Sequence, residues 1–479
     1  MKKALRLFFS LVVAALFFCW LPGLTGCANM IPPTGGPKDT LPPVLLAAQP
    51  QLNTLHFEGN KIVFTFDEYV DLKDARKELI TLPVPKIEPT VEFKLKTVTV
   101  HLKDTLKPNT TYSLDFGNAL RDNNEGNILR HFTYTFSTGS YIDSLQLTGT
   151  VTMAFSGKAD STLIVMLHSD LDDSAVAKHR PHYITRLDSL GNYRFTHLAP
   201  GTYALYALKD ESGTHEYTTK AQIFAFADSF IVLKENAQAP HLYAYQDTSQ
   251  QKTARKPLLN PPPPKPKKED KDKPKKLLVS ANLASGGKLD LHDQFQFLFQ
   301  VPIKYFDSTK VQFLKDSFVN IPADRYHFEE DTTAKKVTLV YSWTPDTKYQ
   351  LILQKDFAQD TLGQELLRID TVAFSTKREE DYGNLRLRFK GLDLNRHPVL
   401  LFMQSGKIIL SHPFGRSLRY ENKLFNPGDY DLAILYDDNE NGVWDPGDFF
   451  KHRQPETVTQ IKRKLTVKAN WDNEVDISL

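Results

Sequence analysis

A proline- and lysine-rich segment divides this chain of 479 residues and excludes a single continuous core. This linker, Lys252 to Lys276, contains four consecutive prolines, Pro261 to Pro264. Prolines lack N–H donors and have a fixed φ, so the run cannot join a helix or a central strand. Its ten basic and three acidic side chains give a charge of +7, which suits contact with anionic envelope surfaces. We therefore predict an extended spacer within residues 247–276 that holds two halves of the chain apart.

The overall composition favours several β-rich domains. A single hydrophobic core stops growing at about 250 to 300 residues, so the length predicts about three or four domains. Aromatic residues make up 11% of the chain, with 31 Phe and 19 Tyr, and they alternate with polar residues as in strands. The formal net charge is only +2, so we expect no nucleic-acid partner.

The first 26 residues have the pattern of an export signal. Basic residues precede an apolar stretch from Leu7 to Trp20, which is short for a membrane-spanning helix. The sequence Leu-Thr-Gly-Cys, residues 24–27, follows it and resembles the lipobox of bacterial lipoproteins. This resemblance implies cleavage after residue 26 and a covalent lipid on Cys27. The alternatives are an ordinary signal peptide with a chance cysteine, or a transmembrane anchor.

The same resemblance gives the remaining N-terminal residues a role. Residues 27–39, rich in Pro and Gly, become a tether, and Ala28 after the lipidated cysteine is typical of lipoproteins sent to the outer membrane. Which face of that membrane the protein occupies stays open. Cys19 would leave with the signal and Cys27 would carry lipid, so the mature chain would have no thiol for catalysis or metal binding.

Residues 40–139, domain A, have the period-2 alternation of an antiparallel sandwich. Apolar residues alternate in runs that begin at Ile62, Val98, Tyr112 and Phe132. The segments IVFTFDEYVD, LKPNTTYSLDFGNALRD and FTYTFSTG resemble the bacterial Ig-like domains of the SbsA type.

Residues 143–246, domain B, form a second predicted sandwich. Its segment GNYRFTHLAPGTYALYALKD, residues 191–210, contains two alternating runs joined by a Pro-Gly turn. It resembles the prealbumin-like sandwiches called carboxypeptidase regulatory-like domains, which are structural modules.

Both signatures recur after the linker in the same order. Residues 345–349 (PDTKY) match 108–112 (PNTTY), and residues 426–430 (NPGDY) match 199–203 (APGTY). We therefore predict an all-β chain of tandem antiparallel β-sandwich domains in the order A-B-linker-A′-B′. Domain A′ covers residues 277–377 and domain B′ covers residues 380–479.

The chain contains no recognisable catalytic motif, so we predict no catalytic residues and no enzyme activity. It lacks a G-x-S-x-G elbow, an H-E-x-x-H zinc motif and a Walker loop. His179 and His182 lie in a polar segment without partnered cysteines, which favours solvated histidines over ligands. Adjacent acids such as Asp67 and Glu68 point to opposite faces of a strand and cannot form a glycosidase pair.

One stretch, the acidic loop from Asp437 to Asp448, has the spacing of a calcium loop. Oxygen donors fall at alternate positions and Gly442 allows the tight turn, as in EF-hand and dockerin loops, which this stretch resembles. The predicted ligands of a structural Ca²⁺ are Asp437, Asn439, Asn441, Val443 (through its carbonyl), Asp445 and Asp448.

A turn rich in Asp and Asn is the alternative reading of the acidic loop. Asp448 replaces the usual Glu, as in dockerins, and Pro446 and Gly447 prevent the helix that should follow. In domain B, Asp210 matches Asp437 but the rest of the pattern is lost, so the sandwich itself does not need a metal there.

Three functions agree with these patterns. The first is a non-catalytic, lipid-anchored envelope protein whose sandwiches act as spacers or bind envelope proteins or glycans. The second is a carbohydrate-binding or adhesion module of an outer-membrane system, which would require Trp343, Trp444 or Trp471 to cluster on an open face. The third, less favoured, is an enzyme whose distant carboxylates converge in a pocket.

Overall fold

The computed structural model describes residues 38–247, 276–284, 286–316 and 318–479. The predictions for the signal, for Cys27 and for most of the linker lie outside these residues. The described chain confirms the all-β prediction, since strands carry nearly all of its regular structure. It forms two compact units, one ending at Asp143 and one running from Ser144 to Leu479.

Domain A lies in the first unit. Its elements are β1 (Leu45–Gln49), β2 (Lys61–Phe66), β3 (Val70–Leu72), α1 (Ala75–Glu78), β4 (Ile80–Leu82), β5 (Thr90–Lys94), β6 (Thr97–His101), β7 (Thr111–Asp115), β8 (Leu120–Asp122) and β9 (Thr133–Ser137). Strand β2 carries the predicted alternation, with every second residue buried from Ile62 to Phe66. The sheets have the orders β1-β2-β6-β5, β4-β7-β9 and β3-β8, and Phe64 packs between them against Phe116 and Tyr134.

Domain B opens the second unit as a sandwich of two main sheets. The elements are β10 (Leu145–Met153), β11 (Ile164–His168), α2 (Ala175–Lys178), β12 (Tyr183–Arg186), β13 (Asn192–Leu198), β14 (Gly201–Leu208), β15 (Phe224–Phe226), β16 (Ile231–Leu233), β17 (Ala237–Gln238) and β18 (Leu242–Ala244). One sheet has the order β13-β10-β17, with β18 also paired to β10. The other has the order β12-β11-β14-β15, with β16 also paired to β14.

Domain A′ repeats the sheet arrangement of domain A. Its strands are β19 (Val279–Ala281), β20 (Lys288–Leu289), β21 (Phe295–Phe299), β22 (Ile303–Phe306), β23 (Val311–Lys315), β24 (Val319–Asn320), β25 (His327–Glu330), β26 (Lys336–Val340), β27 (Lys348–Leu353), β28 (Ala358–Asp360) and β29 (Asp370–Thr376). They form sheets with the orders β19-β21-β26-β25, β20-β29-β27-β23-β24 and β22-β28. Short 3-10 turns cover Ser308–Lys310 and Ala323–Arg325.

Domain B′ repeats the arrangement of B. Its strands are β30 (Gly383–Lys390), β31 (Pro398–Gln404), β32 (Lys407–Pro413), β33 (Arg419–Phe425), β34 (Gly428–Tyr436), β35 (Val458–Val467) and β36 (Asp472–Ser478). They form two sheets with the orders β33-β30-β36 and β32-β31-β34-β35. Short 3-10 turns cover Glu379–Asp381, Leu394–Arg396 and Phe449–Lys451.

The two copies of each sandwich share the same tyrosine hydrogen bonds. In A, the Tyr112 hydroxyl accepts the Lys107 N–H at 2.7 Å; in A′, the Tyr349 hydroxyl accepts the Thr344 N–H at 3.1 Å. Domains B and B′ also share a tyrosine hydrogen bond. The hydroxyls of Tyr203 in B and Tyr430 in B′ each donate to the carbonyl four residues earlier, at 2.9 Å. The matching sequence segments therefore perform the same structural task in both copies.

The prediction that the linker holds the two halves apart is wrong for B and B′, which pack directly on each other. Three strands carry continuous apolar runs that are buried on both faces, Tyr203–Leu208 in B and Pro398–Met403 and Leu432–Tyr436 in B′. A strand of this kind needs cover on its outer face as well as in the core. Each sandwich supplies cover for the other, and burial of this apolar area favours contact over separation.

Candidate functional site: the acidic loop and the surface it covers

The acidic loop leaves the end of β34 and turns back over its own first residue. Both carboxylate oxygens of buried Asp437 accept backbone N–H groups, from Asn441 at 3.2 Å and from Gly442 at 2.6 Å. Gly442 has a φ of +75°, which a residue with a side chain adopts at a cost. Asp437 therefore closes the turn by itself.

The middle of the acidic loop is tied together by side-chain amides. Asn439 and Asn441 both donate through Nδ2 to the Oδ2 atom of Asp445, the latter at 2.8 Å. Four of the six residues predicted to bind calcium, including Asp437, thus lie in one hydrogen-bonded network. The fifth, Val443, follows Asn441, whose Oδ1 accepts the Val443 N–H at 2.7 Å.

Asp448 does not join this network. Its Oδ2 atom lies 2.8 Å from the Lys220 ammonium of domain B, and its side chain is only 11% exposed. The sixth predicted ligand thus forms an ion pair between the two sandwiches.

Glu456 lies beside the acidic loop and was missed by sequence reasoning. Its carboxylate accepts the N–H groups of Asp438 at 3.1 Å and Asp445 at 2.8 Å. Burial raises the pKa of Glu456, and the nearby charges of Asp437 and Asp445 raise it further. No sequence spacing predicted this residue, because Glu456 follows Asp445 by eleven residues and lies outside the acidic loop.

The matching loop of domain B shows that this turn forms without calcium-loop spacing. Asp210 accepts the N–H groups of Gly213 at 2.9 Å and His215 at 3.0 Å, and the His215 ring lies 2.6 Å from the same carboxylate. Burial alone would raise the pKa of Asp210, but the ring and the N–H group of His215 lower it to about 2. The Asp at the start of the loop is thus a turn-closing residue in both copies.

Phe449, directly after the acidic loop, joins domain B′ to domain B. Its ring is 3% exposed and lies 5.4 Å from Tyr206, 5.4 Å from Phe224 and 5.3 Å from Phe226, measured between ring centroids. All three contacts are edge-on, the arrangement that aromatic quadrupoles favour. Phe449 is therefore the apolar anchor of this contact.

Polar contacts surround the anchor. Gln454 donates through Nε2 to the Phe226 carbonyl at 3.0 Å and to Asp228 at 2.7 Å. His452 lies 2.9 Å from Asp173, and Gln460 donates to the Phe155 carbonyl at 2.7 Å. An apolar centre with a polar rim is the anatomy of a stable protein interface.

The three tryptophans of the described chain do not form a sugar-binding platform. Trp343 packs within the core of A′, and Trp444 packs edge-on to Phe155 at 5.3 Å in the contact between B and B′. Trp471 is exposed, with only the Lys468 ammonium over its ring. The arrangement does not favour the carbohydrate-binding hypothesis.

The remaining candidates are placed apart from one another. His179 lies 3.0 Å from Asp170 on an exposed surface, and Asp67 accepts the Val44 N–H at 2.8 Å. Across the residues that the structure describes, no group of three or more His, Cys, Asp or Glu side chains is arranged to hold a metal. The same residues include no helix of the length and hydrophobicity needed to cross a bilayer.

Several solved structures resemble the chain at low identity. BcpA, the major pilin subunit of Bacillus cereus, is 9% identical, with 70% of this chain and 99% of that chain covered and a TM-score of 0.15. The S-layer protein SbsC is 12% identical, with 91% and 54% covered and a TM-score of 0.16. An L,D-transpeptidase from Mycobacterium smegmatis is 11% identical, with 39% and 76% covered and a TM-score of 0.15.

The family comparison bears on domain A. A search of curated protein sequences finds no match to the chain. Residues 39–138 match the family model described as a bacterial Ig-like domain. The first sandwich therefore matches the bacterial Ig-like domains that its sequence pattern suggested.

Proposed function

We propose that the protein is a non-catalytic component of the cell envelope, held at the outer membrane by a lipid on Cys27. Its Ig-like and regulatory-like sandwiches act as a spacer and offer binding surfaces to envelope proteins or glycans. The observation that carries the non-catalytic part is the use made of the acidic loop. Its charged groups close turns or form an ion pair across the contact between B and B′. The one stretch with the spacing of a metal site therefore contributes to the contact between two sandwiches.

The lipid anchor is tested by expressing the full chain in a diderm bacterium fed an alkyne fatty acid. We expect the label on the wild-type protein and its recovery in the outer-membrane fraction. A Cys27→Ser variant keeps the apolar export segment but lacks the thiol that carries lipid, so it should lose the label. Equal labelling of both proteins, or of neither, would contradict the anchor.

We also propose that the acidic loop binds one structural Ca²⁺. Carboxylate and amide oxygens suit this hard cation, and Asp437, Asn439, Asn441 and Asp445 already lie in one network. The Val443 carbonyl completes the predicted spacing. Asp448 leaves the proposed ligand set because it contacts Lys220.

Calcium binding is tested by calorimetric titration of the full mature chain. We expect heat with Ca²⁺, little heat with Mg²⁺, and loss of the calcium signal in an Asn441→Ala variant. The matched control is Thr214→Ala, the position that corresponds to Asn441 in the loop of domain B, which lacks the ligand spacing. No heat at millimolar calcium would reject the site and leave the turn-closing role of Asp437.

A further inference from the structure

An apolar side chain occupies the apex of a tight hairpin in domain A. Leu95 lies in the two-residue turn between β5 and β6, with a φ of +54° and 64% of its surface exposed. Such turn positions favour Gly or Asn, because a bulky residue is strained at positive φ. Neither folding nor burial accounts for a leucine here.

Two aromatic side chains extend the exposed apolar surface around Leu95. Tyr69 is 50% exposed and Phe93 is 48% exposed, and both line the same open groove of about 800 Å³. Lys94 and Lys96 also line this groove, and the Lys96 ammonium lies 5.8 Å from the centre of the Tyr69 ring. Aromatic and aliphatic side chains among lysines are typical of surfaces that meet lipid headgroups.

Backbone hydrogen bonds fix the position of this hairpin apex. The Leu95 carbonyl accepts the Val70 N–H at 3.0 Å, and the Lys96 carbonyl accepts the Phe66 N–H at 2.8 Å. The exposed side chains are therefore presented by a defined part of the fold.

The chain enters domain A at the same end of the sheet. Val44 and Asp67 exchange two hydrogen bonds, and the Lys96 ammonium donates to the Asp67 carbonyl at 2.6 Å. The first described residue is Lys38, eleven residues after Cys27. At no more than about 3.6 Å per residue, that segment spans at most about 40 Å.

We propose that this end of domain A, formed by Tyr69, Phe93, Leu95 and the two lysines, rests in the phospholipid headgroup region of the anchoring membrane. The inference depends on the proposed lipid on Cys27, because a short tether at this end brings the apolar apex to the bilayer. Interfacial aromatic side chains and lysine stems then set the orientation of the domain.

The test uses an environment-sensitive dye on the full lipidated chain in vesicles of phosphatidylethanolamine and phosphatidylglycerol. A dye is attached to Leu95→Cys or, separately, to Phe93→Cys; Cys27 is blocked by lipid, so each label has one site. The matched control is Asn60→Cys, at an exposed residue directly before β2, at the end of the same sheet opposite the hairpin apex. We expect a blue shift at the two test positions, quenching by brominated lipid, and neither effect at the control.

Two results overturn the inference while the anchor stands. These are vesicle-bound protein whose labels at both test positions stay water-exposed, or equal quenching at the test and control positions. Failure of the anchor is recognised separately, because the protein then carries no lipid mass on Cys27 and does not stay with the vesicles.

Discussion

At the scale of single residues, Phe449 contributes most to the contact between B and B′. It fills a site lined by three aromatic rings of the other sandwich, whereas its neighbour Phe450 is 51% exposed and stacks only loosely on Tyr217, at 6.2 Å. The pair thus offers a matched comparison between a buried anchor and an exposed residue of the same size.

Replacing Phe449 by Ala should lower the free energy of unfolding of the joined sandwiches by about 3 to 5 kcal/mol, the usual cost of a large cavity. The same change at Phe450 should cost less than about 1 kcal/mol, because most of that ring is already in water. Urea denaturation followed by tryptophan fluorescence compares the two. Equal losses would show that Phe449 is not an anchor.

His168 should make the stability of domain B depend on pH. It is buried, and burial lowers its pKa to about 4, an effect that the charge of Asp170 only partly opposes. As the pH falls below about 6.5, the ordinary pKa of histidine, His168 becomes protonated in the unfolded chain but stays neutral in the folded chain. Stability is therefore full above pH 6.5 and should fall by about 3 kcal/mol as the pH drops to 4.

Denaturation midpoints at pH 7.5 and pH 4.5 test this dependence. The drop should shrink in a His168→Gln variant and stay unchanged in His327→Gln, at an exposed histidine of A′. An unchanged drop in the His168 variant would assign the pH effect to other groups.

At the scale of elements, the segment after the acidic loop needs a residue without a side chain. A Cβ atom added to Gly447 would lie 2.5 Å from the Tyr245 ring, which itself is buried in domain B. This close approach explains the glycine, which the sequence alone had suggested only as a helix-breaking residue beside Pro446.

A Gly447→Ala variant should therefore weaken the contact between B and B′ and leave each sandwich folded. Hydrogen exchange should rise in Phe224–Phe226 and in the acidic loop, while β30 and β36 stay protected. Gly415→Ala is the control, because nothing lies within 4 Å of a Cβ atom there. Protection equal to wild type at Phe224–Phe226 would contradict the predicted clash.

Sequence patterns predicted the strands and the repeated A-B order but missed the contact between B and B′. Alternation around Ile62 and Phe64, and the Pro-Gly-Thr-Tyr and Pro-Gly-Asp-Tyr segments, are local signals that fold the same way in any context. The contact between Phe224 and Phe449 joins residues far apart in the chain, and no periodicity encodes it. A signal did exist: the continuous apolar run Tyr203–Leu208 departs from alternation, as expected of a strand covered on both faces.

At the scale of the molecule, the repeated A-B order does not give a chain of separate domains within the second unit. The second unit is held together by contacts between its sandwiches. Phe449 and Lys220 join B to B′, and the Tyr382 hydroxyl donates over 2.9 Å to Asp290 between A′ and B′. The linker between B and A′ therefore connects domains that already belong to one unit.

The most direct test of this account is to cut the linker and ask whether the two parts stay together. A specific protease site replaces residues 261–264 in the full mature chain, and the cut protein is run on a size-exclusion column. We predict one peak containing both fragments, because the contact between B and B′ survives the cut, and two peaks when Phe449→Ala is present. Two separate peaks from the cut protein without that substitution would contradict the account and restore the linker as a spacer between independent halves.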